Sequence, residues 1–126
     1  MGGDATSVQR DAARLESARD VTATATGAVH ELRLASGTVV REYADPAGVV
    51  YAVAWQGPWP PDLRQLLGPY FEPYAAALRT RRRARGPVAI RDGDLVVELG
   101  GRARAFVGRV YVPAMLPADV RADAIR

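Results

Sequence analysis

The chain has 126 residues and a mass of 13.5 kDa, which is the size of one compact domain and excludes a two-domain enzyme. Of its 61 hydrophobic residues 23 are alanine, so we expect a modest core. All 17 basic residues are arginine, with one histidine and no cysteine. This composition excludes phosphate-loop lysines, lysine Schiff bases, thiol nucleophiles and cysteine metal sites. The net charge of +3 favours anionic partners without identifying one.

Residues 1–28 predict a weakly ordered N-terminal segment, because large apolar side chains are rare in them. The spacing of Val8, Ala12 and Leu15 is compatible with a marginal helix over about 7–19. The run of alanine and threonine over residues 21–27 is typical of a linker.

From Ala28 onward the hydrophobic period changes to two, which indicates strands. Residues 29–34 and 38–43 flank a short turn with Gly37, which predicts a hairpin. After a turn at residues 45–48, residues 49–55 are apolar on both faces and predict a central strand. One face of this strand carries large side chains and the other small ones, and we expect a helix to pack on the small face.

A stripe of apolar residues at spacings of three and four predicts a helix over about 62–82. Asp62 stands three residues before Gln65, the spacing of a helix cap. Gly68, Pro69 and Pro73 interrupt the stripe, so we expect one kinked helix or two short ones. The members of the stripe are Leu63, Leu66, Leu67, Tyr70, Phe71, Tyr74 and Leu78.

The second half of the chain predicts three more strands. Residues 88–91 and 94–99 flank Asp92-Gly93, a strong hairpin signal, and Gly100-Gly101 predicts the turn into residues 105–112. The predicted fold is therefore α+β: an antiparallel meander sheet of about six strands, with one kinked helix between two three-strand halves. We assign residues 29–113 to this domain and residues 114–126 to a C-terminal tail.

The arginine-rich segment at residues 79–85 is the most suggestive functional feature. Its charge is +5, whereas the other residues sum to −2. Guanidinium groups at this density favour binding of a polyanion such as nucleic acid, an anionic glycan or a lipid surface. The alternative is a solvated helix end, where cations meet the C-terminal dipole. The candidate residues are Arg79, Arg81, Arg82, Arg83 and Arg85.

Trp55 and Trp59 stand close together beside several prolines. They could form an exposed aromatic ledge for a peptide or glycan. The alternative, which we favour, is that Trp59 packs against the start of the helix.

The other candidate groups favour structural interpretations. His30 has no second histidine to complete a metal site, so we expect it on a strand surface. Asp92 and Asp94 surround a turn and lack the further oxygen ligands of a calcium loop. Glu42 with Arg41, or Glu98 with either Arg104 or Arg109, resembles a cross-strand ion pair more than an acid-base site. We therefore predict no catalytic residue, no metal and no cofactor.

Several segments together carry a family resemblance. They include residues 35–43 (ASGTVVREY), 50–58 (VYAVAWQGP), 61–68 (PDLRQLLG) and 92–97 (DGDLVV). The chain resembles, over nearly its whole length, a family of uncharacterised exported proteobacterial proteins, the domain of unknown function 2844. The resemblance implies a mature protein from which a signal peptide has been removed, and hence export to the periplasm or beyond. It implies no activity, cofactor or catalytic residue.

These observations lead us to expect an exported, non-catalytic binding or scaffold domain. Polyanion binding through residues 79–85 is the alternative, and a small hydrolase that uses His30 or carboxylates is the third and least favoured function. No stretch has the roughly 20 apolar residues that cross a bilayer. We expect a monomer that is periplasmic or secreted.

Overall fold

A seven-stranded antiparallel sheet forms the body of the molecule. The structure, a computed structural model, describes residues 1–4, 8–10, 18–80 and 87–126. The order across the sheet is β1-β2-β3-β4-β7-β6-β5, so β4 and β7 join the two halves. The strands are β1 (Ala18–Thr24), β2 (Gly27–Arg33), β3 (Val39–Ala44), β4 (Val50–Gly57), β5 (Val88–Asp92), β6 (Leu95–Arg102) and β7 (Ala105–Tyr111).

The kinked helix between the halves is confirmed. It consists of α1 (Leu63–Leu67), a 3-10 turn (Gly68–Tyr70) and α2 (Phe71–Thr80). The Asp62 carboxylate accepts a hydrogen bond of 3.2 Å from the Gln65 amide and caps α1. Among the described residues, no helix is long and apolar enough to cross a membrane.

The α+β class is confirmed, but the prediction of about six strands is wrong, because the sheet has seven. The missed strand is β1, which includes most of the run interpreted as a linker and pairs with β2 along its whole length. Its alanines and threonines carry no clear apolar alternation, since β1 is an edge strand with exposed side chains at residues 20–24. The predicted helix over about 7–19 lies mostly outside the described residues; residues 8–10 are helical and Ala18 begins β1.

The helix packs on the large-residue face of β4, so the predicted position on its alanine face is wrong. Val53 and Trp55 of β4 belong to the same core cluster as Leu66 and Leu67 of α1. Met1 and Val8 are buried in this cluster as well. The helix packs on this face because large apolar side chains fill the space between the sheet and the helix, which alanine is too small to do.

The opposite face of the sheet is covered by the segment after β7, which contains 3-10 turns at Pro113–Met115 and Ala122–Ala124. Ile125 is 1% exposed and packs in a second cluster with Ala52 and Ala54. The small side chains on this face of β4 thus admit the chain's own C-terminal segment. We call residues 119–126 the clasp segment.

The predicted turns at residues 35–37 and 45–48 are confirmed, and so is the hairpin predicted at Asp92-Gly93, although its loop lies one residue later, at Gly93 and Asp94. The turn predicted at Gly100-Gly101 is wrong, because β6 continues to Arg102 and the chain reverses at Ala103 and Arg104. Arg104 adopts a φ of 64°, in the left-handed region, and provides the positive φ that was expected from glycine in this turn.

Candidate functional site

The structure describes one member of the predicted polyanion site. Arg79 lies in the last turn of α2, and its side chain is exposed. Arg81, Arg82, Arg83 and Arg85 lie outside the described residues. Polyanion binding by this segment therefore stays a prediction.

The two tryptophans of the predicted ledge lie in different environments. Trp55 is 4% exposed, and its indole covers Gly108 so closely that a Cβ atom on Gly108 would lie 2.2 Å from its Cζ2 atom. The Trp59 side chain is 58% exposed. The favoured interpretation, in which Trp59 packs against the start of the helix, is therefore wrong: Trp59 presents its ring to solvent, and Trp55 is the buried member of the pair.

The main chain of Trp59 is held in place although its ring is exposed. The hydroxyl of Thr38, which is fully buried, donates a hydrogen bond of 2.6 Å to the Trp59 carbonyl oxygen. A Cβ atom on Gly57 would lie 2.5 Å from the Thr38 Cα, so only glycine allows this approach. The exposed ring is therefore carried by a fixed loop.

His30 is buried, so the prediction of a strand-surface histidine is wrong. It is 5% exposed and lies directly opposite Glu42, which is fully buried, across β2 and β3. His30 shares its face of β2 with Leu32, and that face packs in the core. His30 also lines a pocket of about 370 Å³ beside Asp45 and Gly48.

Two charged pairs lie on the opposite face of the sheet, which carries the clasp segment. Glu98 of β6 contacts the Nε atom of Arg109 in β7, and the two residues are directly opposite in the register. Glu31 of β2 accepts from the Nε atom of Arg41 in β3 at 3.1 Å. Of the predicted pairs, Glu98 with Arg109 is confirmed as a cross-strand ion pair, and Arg41 pairs with Glu31.

The same arginines hold the clasp segment. Nη1 of Arg109 donates to the carbonyl oxygens of Ala122 and Ile125. Nη1 of Arg41 donates to the main-chain oxygen of Arg126 at 3.2 Å, and the Tyr43 hydroxyl donates to the same atom at 2.9 Å. Side chains from β3 and β7 therefore fasten the clasp segment across the middle of the sheet.

An apolar trough of about 530 Å³ lies beside the clasp segment, over β4, β5, β6 and β7. Gly100 leaves its floor open, since a Cβ atom there would meet no other atom within 4 Å. Val107 is 46% exposed at the same place. The trough is a depression because small residues interrupt the side-chain layer that covers the rest of this face. Its lining consists of Trp55, Gln56, Pro87, Val88, Ala89, Glu98, Leu99, Gly100, Val107, Gly108, Arg109, Asp123, Ile125 and Arg126.

A second pocket of about 320 Å³ lies on the other side of the clasp segment and includes Tyr43 and Tyr51. The centres of these two rings are 6.3 Å apart. Burial raises the pKa of Tyr51, and the neighbouring Tyr43 and Asp45 raise it further. Tyr51 therefore stays neutral and acts as an apolar wall at ordinary pH.

The sequence interpretation missed the trough and the clasp segment. The only signals were the small residues at Ala52, Ala54 and Gly100, together with the lone apolar Ile125 near the chain end. None of them identifies a partner, because the pairing of β4 with β7 and the return of the clasp segment are long-range contacts.

Within the described ranges, no three side chains of histidine, aspartate or glutamate gather in a way that could hold a metal ion.

Comparison with known proteins adds a family. No curated protein and no solved structure is significantly similar to the chain. The family model described as Protein of unknown function (DUF2844) matches residues 1–125, which confirms the resemblance noted in the sequence. The chain therefore belongs to the family described as Protein of unknown function (DUF2844).

Proposed function

We propose that this protein is a non-catalytic binding domain whose ligand occupies the trough beside the clasp segment. The observation that carries the proposal is the trough itself, a mainly apolar depression of about 530 Å³ on one face of the sheet. Binding sites for small molecules are commonly concave, largely apolar and of this volume.

The residues that line the trough support a binding function and not a catalytic one. Its floor consists of glycine, alanine and valine, and the Glu98 carboxylate is held by Arg109. A general base must reach the proton that it removes, whereas the Glu98 carboxylate already contacts the Nε atom of Arg109. His30 lies on the other face of the sheet, away from the trough.

Binding of a neutral apolar dye, N-phenylnaphthylamine, tests this function. We expect saturable fluorescence enhancement with the native protein at neutral pH. The variant Gly100→Leu places a side chain into open space on the trough floor and should weaken binding at least about tenfold, since it fills the volume of the site. Unchanged binding by this variant would contradict the proposal.

The matched control is Ala47→Leu, which adds a leucine side chain at an exposed turn between β3 and β4. We expect it to bind the dye as the native protein does. Urea denaturation of both variants verifies that each one is folded under the conditions of the assay.

A second candidate function is polyanion binding through the segment that begins at Arg79. It is favoured by the exposure of Arg79 at the end of α2 and by the concentration of charge in residues 79–85. Replacing the five arginines with serine should abolish salt-sensitive retention on heparin. Retention that survives the replacement would eliminate this candidate. The residues are Arg79, Arg81, Arg82, Arg83 and Arg85.

We also propose that the protein acts as a monomer in the periplasm or outside the cell, which the resemblance of the sequence to exported proteins supports. Fractionation of cells that produce the natural gene product tests the location. Size-exclusion chromatography with light scattering tests the monomer.

A further inference from the structure

The trough carries a positive charge that has no partner among the residues that the structure describes. Glu98 contacts Arg109, and the Asp123 carboxylate lies 3.7 Å from the Nε atom of Arg121. Arg126 uses its Nε atom to donate to the Asp123 carbonyl oxygen at 3.3 Å. Its two terminal nitrogens make no hydrogen bond or ion pair with the described part of the chain. The rim of the apolar trough therefore has one guanidinium end that can bind a ligand.

From this arrangement we propose that the ligand of the trough is a small organic monoanion. Its apolar body lies on the floor at Gly100 and Val107, and its carboxylate or sulfonate binds the terminal nitrogens of Arg126. Guanidinium groups bind such anions through two parallel hydrogen bonds. This inference rests on the binding function proposed above and adds the chemical class of the ligand.

The charged residues that line the trough favour a ligand with a single negative charge. Among the described residues that line the trough, Arg126 supplies one cation whose terminal nitrogens are unpaired, and the carboxylates of Glu98 and Asp123 also line it. A ligand with two or more negative charges would approach these carboxylates and be repelled. A cationic ligand would instead meet Arg126. The volume of about 530 Å³ limits the occupant to a small molecule, so we assign a free organic acid and not a membrane surface.

A pair of dyes tests the inference, since anilinonaphthalene sulfonate and N-phenylnaphthylamine share an apolar body and differ in the sulfonate. We expect the native protein to bind the sulfonate about fivefold more tightly, a modest factor because Arg126 is exposed. Arg126→Gln should remove this preference, because it lowers the affinity for the sulfonate much more than the affinity for the neutral dye. Arg126→Lys should retain part of it, and added salt should reduce it.

The control is Arg64→Gln, which removes an exposed arginine of α1, on the other face of the sheet and outside the trough lining. It should leave the preference intact. Equal affinity for both dyes, or a preference that survives Arg126→Gln, would overturn the inference while the binding function stands. If neither dye binds, both the inference and the binding function are overturned. Sedimentation with phosphatidylglycerol vesicles that depends on Arg126 would show a membrane surface as the ligand and would also overturn the inference.

Discussion

The guanidinium group of Arg109 in β7 donates a hydrogen bond of 3.1 Å to the main-chain oxygen of Ile125. This contact joins residues 16 positions apart and holds the clasp segment on the sheet face. The same guanidinium contacts Glu98, so one arginine closes the ion pair and positions a wall of the trough. The integrity of the trough thus depends on a contact outside its floor.

We expect Arg109→Gln to loosen the clasp segment. The substitution removes hydrogen bonds to Ala122 and Ile125 and leaves Glu98 without its cation, which should lower the free energy of unfolding by about 1–3 kcal/mol. Urea denaturation measures the loss, and hydrogen exchange should increase at residues 122–126. Arg121→Gln, whose exposed ion pair spans 3.7 Å, should change stability by less than about 0.5 kcal/mol. Equal effects of the two variants would contradict the role of Arg109.

We expect Ile125→Ala to be strongly destabilising, because Ile125 is 1% exposed and packs on Ala52 and Ala54. Removing its buried carbons leaves a cavity that small neighbours cannot fill, at a cost of about 2–5 kcal/mol. Thermal and urea denaturation measure the change. Val107→Ala is the comparison, since Val107 is 46% exposed and should lose only about 0.5 kcal/mol. A small effect at Ile125 would mean that the clasp segment contributes little to the fold.

We expect opposite effects from alanine at two glycines of the neighbouring strands β6 and β7. At Gly108 the new Cβ atom would lie 2.2 Å from the Trp55 ring, so the ring must move, at a cost of about 1–3 kcal/mol. At Gly100 the Cβ atom meets nothing within 4 Å and the backbone needs no left-handed φ. Gly100→Ala should therefore be neutral or stabilising by about 0.5–1 kcal/mol. Urea denaturation of the two variants in parallel tests this difference, and similar losses in both would contradict it.

We expect the fold to lose stability at alkaline pH through Tyr74. Burial raises the pKa of Tyr74 in the folded chain, so the unfolded chain ionises first as pH rises. The stabilising contribution of the neutral hydroxyl is complete below about pH 10, the ordinary pKa of tyrosine, and is lost as pH rises through the higher folded pKa. Urea denaturation between neutral pH and pH of about 11 measures this. Tyr74→Phe should show a shallower decline, and an identical decline would contradict the assignment.

Local features of the structure followed from local sequence. The period of two before and after the helix predicted the strands, the Asp62 cap and the apolar stripe predicted the kinked helix, and the turn at Asp92-Gly93 predicted a hairpin. These elements depend on neighbours within a few residues, so their signals are contained in short windows. β1 was missed because an edge strand pairs on one side only and needs no apolar pattern.

The sequence by itself determined the α+β class, the antiparallel pairing within each half and the family. Only the tertiary structure decided that β4 pairs with β7, that His30 faces the core and that the helix covers the large face of β4. It also decided that Ile125 returns to Ala52 and Ala54 and leaves a trough beside it. A short stretch of sequence shows which side chains of a strand lie on the same face. The element that packs against each face depends on contacts between residues far apart in the chain.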